Sequence, residues 1–413
     1  LDGPAGLPVV LAGAKADFQV AFSGGPNEGQ VAMSGLFTDE LHYSSSFPTR
    51  IEVDRREINN TNSTMEPIHR FLHRARAQAL TAAERYEELS PNTEGHAEAL
   101  NIYAYSLILF AENYCSGVPL SRVTATGAVE FGEPQTTQQL LESAVASFDG
   151  AIAAATMAGS TQQLNLARIG MGRALLNLGR YAEARTAVDA VPTSFVHWIY
   201  HSENSVRQEN GAYVYQHVGR RWSVANEEGT NGMPFREAMD PRVPWELAEG
   251  VLAFDNSPLW LSLKYTSRSS PTALATGIEA RLIEAEADLA DGSANWLTTL
   301  NAIRAAPPAY YPAADYPGIA SLPTLADPGT DAARVSLLFQ ERAYWMYLTS
   351  HRLGDMRRLV RQYGRPANTV FPTGTWGSWA SDKTGDYGTD VNFIIPFDEQ
   401  NNPNFTGCLN RDA

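Results

Sequence analysis

Two indoles stand three residues apart in Thr375-Trp376-Gly377-Ser378-Trp379-Ala380-Ser381-Asp382, with Tyr387 close behind. Flat rings stack on the apolar C–H face of a sugar, and neighbouring amides, carboxylates and guanidiniums bind its hydroxyls. The same rings can instead plug a scaffold or pack against a neighbouring molecule. Arg220-Arg221-Trp222-Ser223-Val224-Ala225-Asn226 offers a second set. There Arg221, Trp222 and Asn226 combine guanidinium, indole and amide, or else form a packing cluster at a strand end. Tyr43 and Phe47, in a serine-rich stretch, are a third ligand-binding candidate.

Catalytic and metal patterns are weaker. His197 and His201 are four apart, but their stretch reads as a strand. On a strand such residues lie about 13 Å from each other, too far to share an ion. Asp382, Asp386 and Asp390 recur every four residues among glycines. They fall short of a calcium loop that closes on a bidentate Glu, so a structural calcium is the most this spacing offers. Glu227-Glu228 and Asp39-Glu40 are adjacent carboxylates, whereas glycoside hydrolysis needs two carboxyls held across a cleft. No Gly-x-Ser-x-Gly elbow, phosphate-binding loop or His-Glu-x-x-His occurs. The expectation is a chain with no catalytic residues, no metal ligands and no cofactor.

Cys115 and Cys408 form no Cys-x-x-Cys pair and have no Cys/His cluster beside them. Each ends an element. A disulfide between them would suit an oxidising compartment and stabilise by roughly 4–5 kcal/mol in the chain-entropy model. The alternative is two unrelated buried thiols.

The elements that must position these groups are mainly helical. Apolar periodicity predicts helices over 7–23, 28–41, 65–89, 94–113, 136–157, 162–178 and 180–190. Ala174, Gly179, Tyr181 and Ala184 match a tetratricopeptide (TPR) helix pair, and 275–305 reads as a second copy. Such pairs bury their faces only by stacking. Residues 196–200, 212–216 and 260–265 read as short strands. The fold class expected is mainly α, a TPR-like scaffold of helical hairpins with loop-rich insertions holding a few short strands. One body spans 1–413, with the scaffold mainly in 1–190 and 272–362. Loop regions at 195–270, 306–330 and 364–392 form the ligand side. Residues 341–358 read as one amphipathic helix. Its apolar stripe includes Met346, Leu353 and Met356. Glu341, Arg342, Arg352, Asp355, Arg357 and Arg358 crowd the other side.

The chain has 413 residues, a net charge of −15 and 44% hydrophobic residues. That acidity, with no basic run to offset it, excludes nucleic acid as a partner and matches anionic lipid headgroups poorly. No run of about 18 apolar residues spans a bilayer as a helix. The chain starts at Leu1 without a basic-then-apolar signal segment, which suggests a removed segment or an incomplete start.

Five motifs in order carry a family resemblance. They are Gly35 to Leu41, Ser116-Gly117-Val118-Pro119-Leu120, and Glu284-Ala285-Glu286-Ala287 followed by Leu300-Asn301-Ala302-Ile303-Arg304. Then come Glu341-Arg342 with Arg352 to Arg358, and Phe393-Ile394-Ile395-Pro396-Phe397 with Asn402-Pro403-Asn404. Together they resemble the SusD/RagB family of outer-membrane nutrient-binding lipoproteins. The resemblance implies a non-catalytic, surface-exposed protein that captures a glycan or peptide. It also implies delivery to a SusC-like TonB-dependent transporter, which the helical side would face. Ligand residues cannot be carried over, because those loops vary within the family. The lipidated N-terminal Cys is not in this chain, so an anchor would run through a segment absent from it. Two other readings remain: a self-assembling structural surface protein, and a glycoside hydrolase on a helical frame.

Overall fold

The computed structural model describes residues 3–25, 28–124, 126–310, 318–380 and 383–413. Its helices are α1 (Leu7–Ser23), α2 (Gln30–Phe37), α3 (Pro48–Asp54), α4 (Met65–Leu89), α5 (Glu94–Asn113), α6 (Thr137–Ala158), α7 (Thr161–Asn177) and α8 (Tyr181–Val188). The short α9 (Gly211–Tyr213) precedes α10 (Gly277–Ala290), α11 (Asn295–Ala305), α12 (Asp331–Trp345) and α13 (Arg352–Arg361). The strands are β1 (Leu41–Tyr43), β2 (Val118–Pro119), β3 (Arg122–Val123), β4 (Val129–Glu130), β5 (Pro134–Gln135), β6 (Val196–Ile199), β7 (Trp222–Val224), β8 (Trp245–Leu252), β9 (Pro258–Ser262) and β10 (Thr272–Thr276). They pair only as antiparallel two-stranded ladders: β1 with β7, β2 with β5, β3 with β4, β6 with β10 and β8 with β9. The fold is mainly α and TPR-like.

Local chemistry sets the helix ends. Thr93 caps α5 by accepting from the His96 amide. Thr136 and Gln139 form a reciprocal capping box on α6, which stops at left-handed Gly159. Gly179 turns α7 into α8 at φ 73°, and Gly292 turns α10 into α11 at φ 74°. Ala174 and Ala184 are fully buried where α7 meets α8. A Cβ on Gly172 would come within 2.5 Å of Val188, so the close crossing there needs glycine. Helices pack in succession, α1 on α4, α4 on α5, α5 on α6, α6 on α7 and α7 on α8, and α10 joins α8 to α11.

Three expectations are corrected. Residues 212–216 are helical, because Asn210 caps α9 through the Tyr213 amide and a wide turn continues from it. The helix expected over 28–41 ends at Phe37, and Leu41 begins β1 instead. The helix expected over 341–358 is two helices, α12 and α13, broken at residues 346–351. Leu348 and Ser350 take left-handed φ values of 50° and 61°. Distant side chains hold that strained turn. The Leu348 amide donates to Glu40 Oε1 at 2.8 Å, Tyr265 OH donates to the Leu348 carbonyl at 2.7 Å, and Arg173 donates to the Ser350 carbonyl at 2.9 Å.

The six charges of the 341–358 stretch, Glu341, Arg342, Arg352, Asp355, Arg357 and Arg358, are also not a solvated face. All six are buried. Glu341 accepts from Arg242 and Arg304, each at 2.7 Å. Asp355 accepts from Arg342 and Arg358 at 2.8 Å, and Arg358 also pairs with Glu286. Arg352 forks onto Asp39 with two 2.7 Å bonds. Arg357 donates to the carbonyls of Ala111, Glu112 and Tyr114, satisfying the orphan C-terminus of α5. Burial alone would raise Asp355, but Arg342 and Arg358 hold it well below the usual carboxylate range.

Candidate functional site

The β1–β7 ladder brings together residues that sequence spacing kept apart. Tyr43 lies opposite Trp222 in register, and Lys383 Nζ of the late loop lies 5.6 Å from the ring centroids of both Tyr43 and Trp376. Trp376 Nε1 donates to Asp54 Oδ2 at 2.9 Å, and the Tyr43 amide donates to the same oxygen at 3.1 Å. Tyr387 OH donates to Glu228 Oε2 at 2.7 Å. Burial and the nearby Glu228 push the Asp54 carboxyl well above its ordinary value. His42, buried on β1, stacks on Trp379 with centroids 4.3 Å apart. Lys383 reaches Asp255 at 2.9 Å and the Ser45 carbonyl at 2.7 Å.

This arrangement corrects the expectation of an open platform of rings. Tyr43, Trp222, Trp376 and Tyr387 are buried, Trp222 completely. Trp376 and Tyr387 place their polar handles on internal acceptors, which limits the cost of burying them, whereas Trp222 stacks on Tyr215 and its Nε1 has no acceptor among the described residues. Trp379 is half-buried, with one face against His42. Asn226 is half-buried and accepts from the Arg236 and Glu237 amides. Phe47 and Phe254 remain exposed and hold the Arg221 guanidinium between them, 4.8 and 5.2 Å from their centroids. Asp386 is exposed and Asp390 pairs with Arg411 at 2.5 Å, while Asp382 lies outside the described residues.

A cleft of about 1160 Å³ opens elsewhere, where β6 leans over the helical scaffold. Its floor comes from α1 through Lys15 and Gln19, from α5 through Glu94 and Glu98, and from α7 through Gln162. Trp198 and Tyr200 line its wall, and Tyr200 is 74% exposed. β6 borders this space with one edge paired to the buried β10, its one ladder partner among the described residues. Lys15 and Glu98 pair at 2.6 Å on the floor. Gln162 Nε2 lies 3.2 Å from both the Val196 carbonyl and His197 Nδ1. His201 closes the inner end, within 2.7 Å of the Gln19 amide nitrogen and 2.9 Å of Ser23 Oγ. Burial lowers both His197 and His201 to about 4, so both imidazoles are neutral near pH 7. The cleft therefore offers ring faces beside hydroxyl-binding amide, ammonium and carboxylate groups, the mixture that a polyhydroxylated ligand needs.

No family model matches the sequence, nor does any curated protein. Solved structures do match. A SusD-like carbohydrate-binding protein of Bacteroides fragilis NCTC 9343 superposes with a TM-score of 0.70 at 15% identity, over 98% of this chain and 99% of that one. A second SusD-like carbohydrate-binding protein, from Bacteroides vulgatus ATCC 8482, gives 0.69 at 12% identity over 98% of each chain. A SusD/RagB family protein of Bacteroides thetaiotaomicron VPI-5482 gives 0.65 at 13% identity, over 95% of this chain and 94% of its own. The chain has the SusD fold.

Within this SusD fold the cleft sits at the seam between the helical scaffold and the inserted strands. Its wall was legible as a strand over 196–200, and its floor as the helices at 7–23, 94–113 and 162–178. What sequence reasoning missed was the use of Trp198, Tyr200 and Gln162. The available signal was two rings at alternate positions, hence on one face of a short strand. The disulfide joins Cys115 to Cys408 and ties the C-terminal segment to the end of α5.

Proposed function

We propose that this chain is a non-catalytic glycan-binding protein of the outer-membrane surface that hands its ligand to a TonB-dependent transporter. The observation that carries the reading is the open cleft at β6, where Trp198 and Tyr200 stand beside Gln162, Lys15 and Glu98. Two structural neighbours are named as carbohydrate-binding, which supports a sugar as the ligand class. Surface placement, a lipid anchor and the transporter partner belong to the same proposal and rest on the family resemblance of the sequence motifs. The exposed rings of Phe47 and Phe254, with the Arg221 guanidinium between them, are a second contact surface in this reading, and the guanidinium suits an acidic sugar.

Glu94 and Glu98, one turn apart on α5, are the nearest approach to a glycosidase pair in the cleft. Both carboxylates already have partners, Ser160 at 2.8 Å and Lys15 at 2.6 Å. Those pairings support a binding role without turnover. The test is a glycan array followed by calorimetry on the wild type, Tyr200→Ala and Trp198→Ala. Loss of a saturable glycan signal in both variants, with product-free incubations, supports the proposal. Retained affinity in both variants overturns the cleft assignment, and measurable hydrolysis overturns the non-catalytic one.

A further inference from the structure

A cluster away from the cleft has the composition of a metal site. His69 and His73 lie one turn apart on α4, and Glu399 approaches them from the C-terminal segment. The Nε2 atoms of the two histidines are 3.2 Å apart. Glu399 Oε1 lies 3.8 Å from His73 Nε2 and 4.0 Å from His69 Nδ1. One donor atom from each residue fits within 4.8 Å of the other two. Around a tetrahedral ion with bonds of about 2.0–2.1 Å, donor atoms sit about 3.3 Å from one another, so small side-chain shifts close the set. We propose that His69, His73 and Glu399 form a zinc-class site that fastens the C-terminal segment to α4.

The donor set selects the ion class. Two imidazoles and one carboxylate suit zinc, copper or nickel, whereas calcium and magnesium want six or more oxygens. Phe110 and Tyr114 pack edge-on against His69, giving the site an apolar wall and fixing that ring. The His73 and Glu399 side chains keep 16% and 22% exposure, which leaves a route in and an open fourth position for water. Position 70, where a zinc peptidase carries its general-base Glu, is Arg70. The site therefore lacks the general base of that peptidase chemistry. Arg76, one turn along α4, sets its positive charge near Glu399, which opposes a bound cation. The disulfide already ties Cys408 to Cys115, so the ion adds a second fastening to the same segment.

The test uses the full chain, stripped with chelator and titrated calorimetrically with zinc chloride, with calcium chloride as control. The expected result is one zinc per chain, no calcium binding, and a rise in Tm on adding zinc. Glu399→Gln and His73→Ala, at the more exposed positions, should each weaken zinc by roughly tenfold or more and abolish the Tm rise. Absence of saturable zinc binding by the wild type overturns the proposal. So does undiminished binding in both variants, which would place the ion elsewhere.

Discussion

The late loop at 375–387 and the edge strand β6 both carry aromatic rings outside the helical scaffold, yet they dispose of them in opposite ways. Trp376 and Tyr387 turn inward because Asp54 and Glu228 wait inside as acceptors. Tyr200 stays 74% exposed, at the mouth of a cleft. A ring whose polar handle is satisfied within the chain gains by burial, up to a few kcal/mol from its area alone. A ring left at the rim remains for a ligand. Both segments carry tryptophan and tyrosine, so ring content by itself does not mark a binding site.

That contrast can be broken by experiment. Trp376→Ala should produce the largest effect, a loss of about 3–5 kcal/mol in unfolding free energy measured by denaturant titration, through a cavity and a stripped Asp54. If instead Trp376→Ala left stability intact and abolished glycan binding, the late loop would be the ligand site after all. Cys408→Ser should cost roughly 2–5 kcal/mol by the same measurement, since it frees the segment that carries Glu399. Tyr200→Ala should cost about 1–2 kcal/mol in glycan affinity, roughly tenfold in Kd, with Tm essentially unchanged. A Tm drop as large as that of Trp376→Ala would make Tyr200 a packing residue and erase the distinction.

A pH dependence sharpens the role of the 346–351 turn. Burial pushes the Glu40 carboxyl up from 4.5 to about 8, with neighbouring Asp39 adding to the rise and the Leu348 amide, Arg352 and Lys264 opposing it. A raised folded-state pKa means that the folded form holds its proton longer than the unfolded form. The stability from Glu40 is therefore full below pH 4.5 and is lost progressively as pH rises to about 8. Glu40→Gln keeps a carbonyl for the Leu348 amide and cannot ionise. Its Tm should fall less than that of the wild type between those limits, read by calorimetry across pH. Asp355 works in the other direction. Its pKa is depressed, so its stabilisation is present above the ordinary value of 3.8 and lost as pH falls below that.

Helix existence was the most legible layer. The predicted spans 65–89 and 94–113 coincide with α4 and α5, and both TPR-like hairpins form with their glycines at the turns. Periodicity, capping threonines and turn glycines act within a few residues, so a reader of the chain can see them. The failures have a common cause. Glu341 to Arg358 carries a helical pattern, but the turn at Leu348 and Ser350 is held by Glu40, Tyr265 and Arg173, all far away in sequence. The charged side looked like a solvent face because nothing local announced Asp39, Glu286, Arg242 or Arg304 as partners. The candidate rings misled for the same reason, since Asp54 and Glu228 lie over 150 residues from Trp376 and Tyr387, which bond them.

The amino-acid order thus determined a stack of helical hairpins with irregular insertions, an acidic surface and an order of motifs like that of the SusD/RagB family. Only the tertiary structure decided which charges and rings are core, where the cleft opens, and that His69, His73 and Glu399 meet. The physical reason is range. Periodicity and capping are settled between neighbours along the chain, whereas burial of a charge or an indole depends on whether a partner from a distant segment reaches it first.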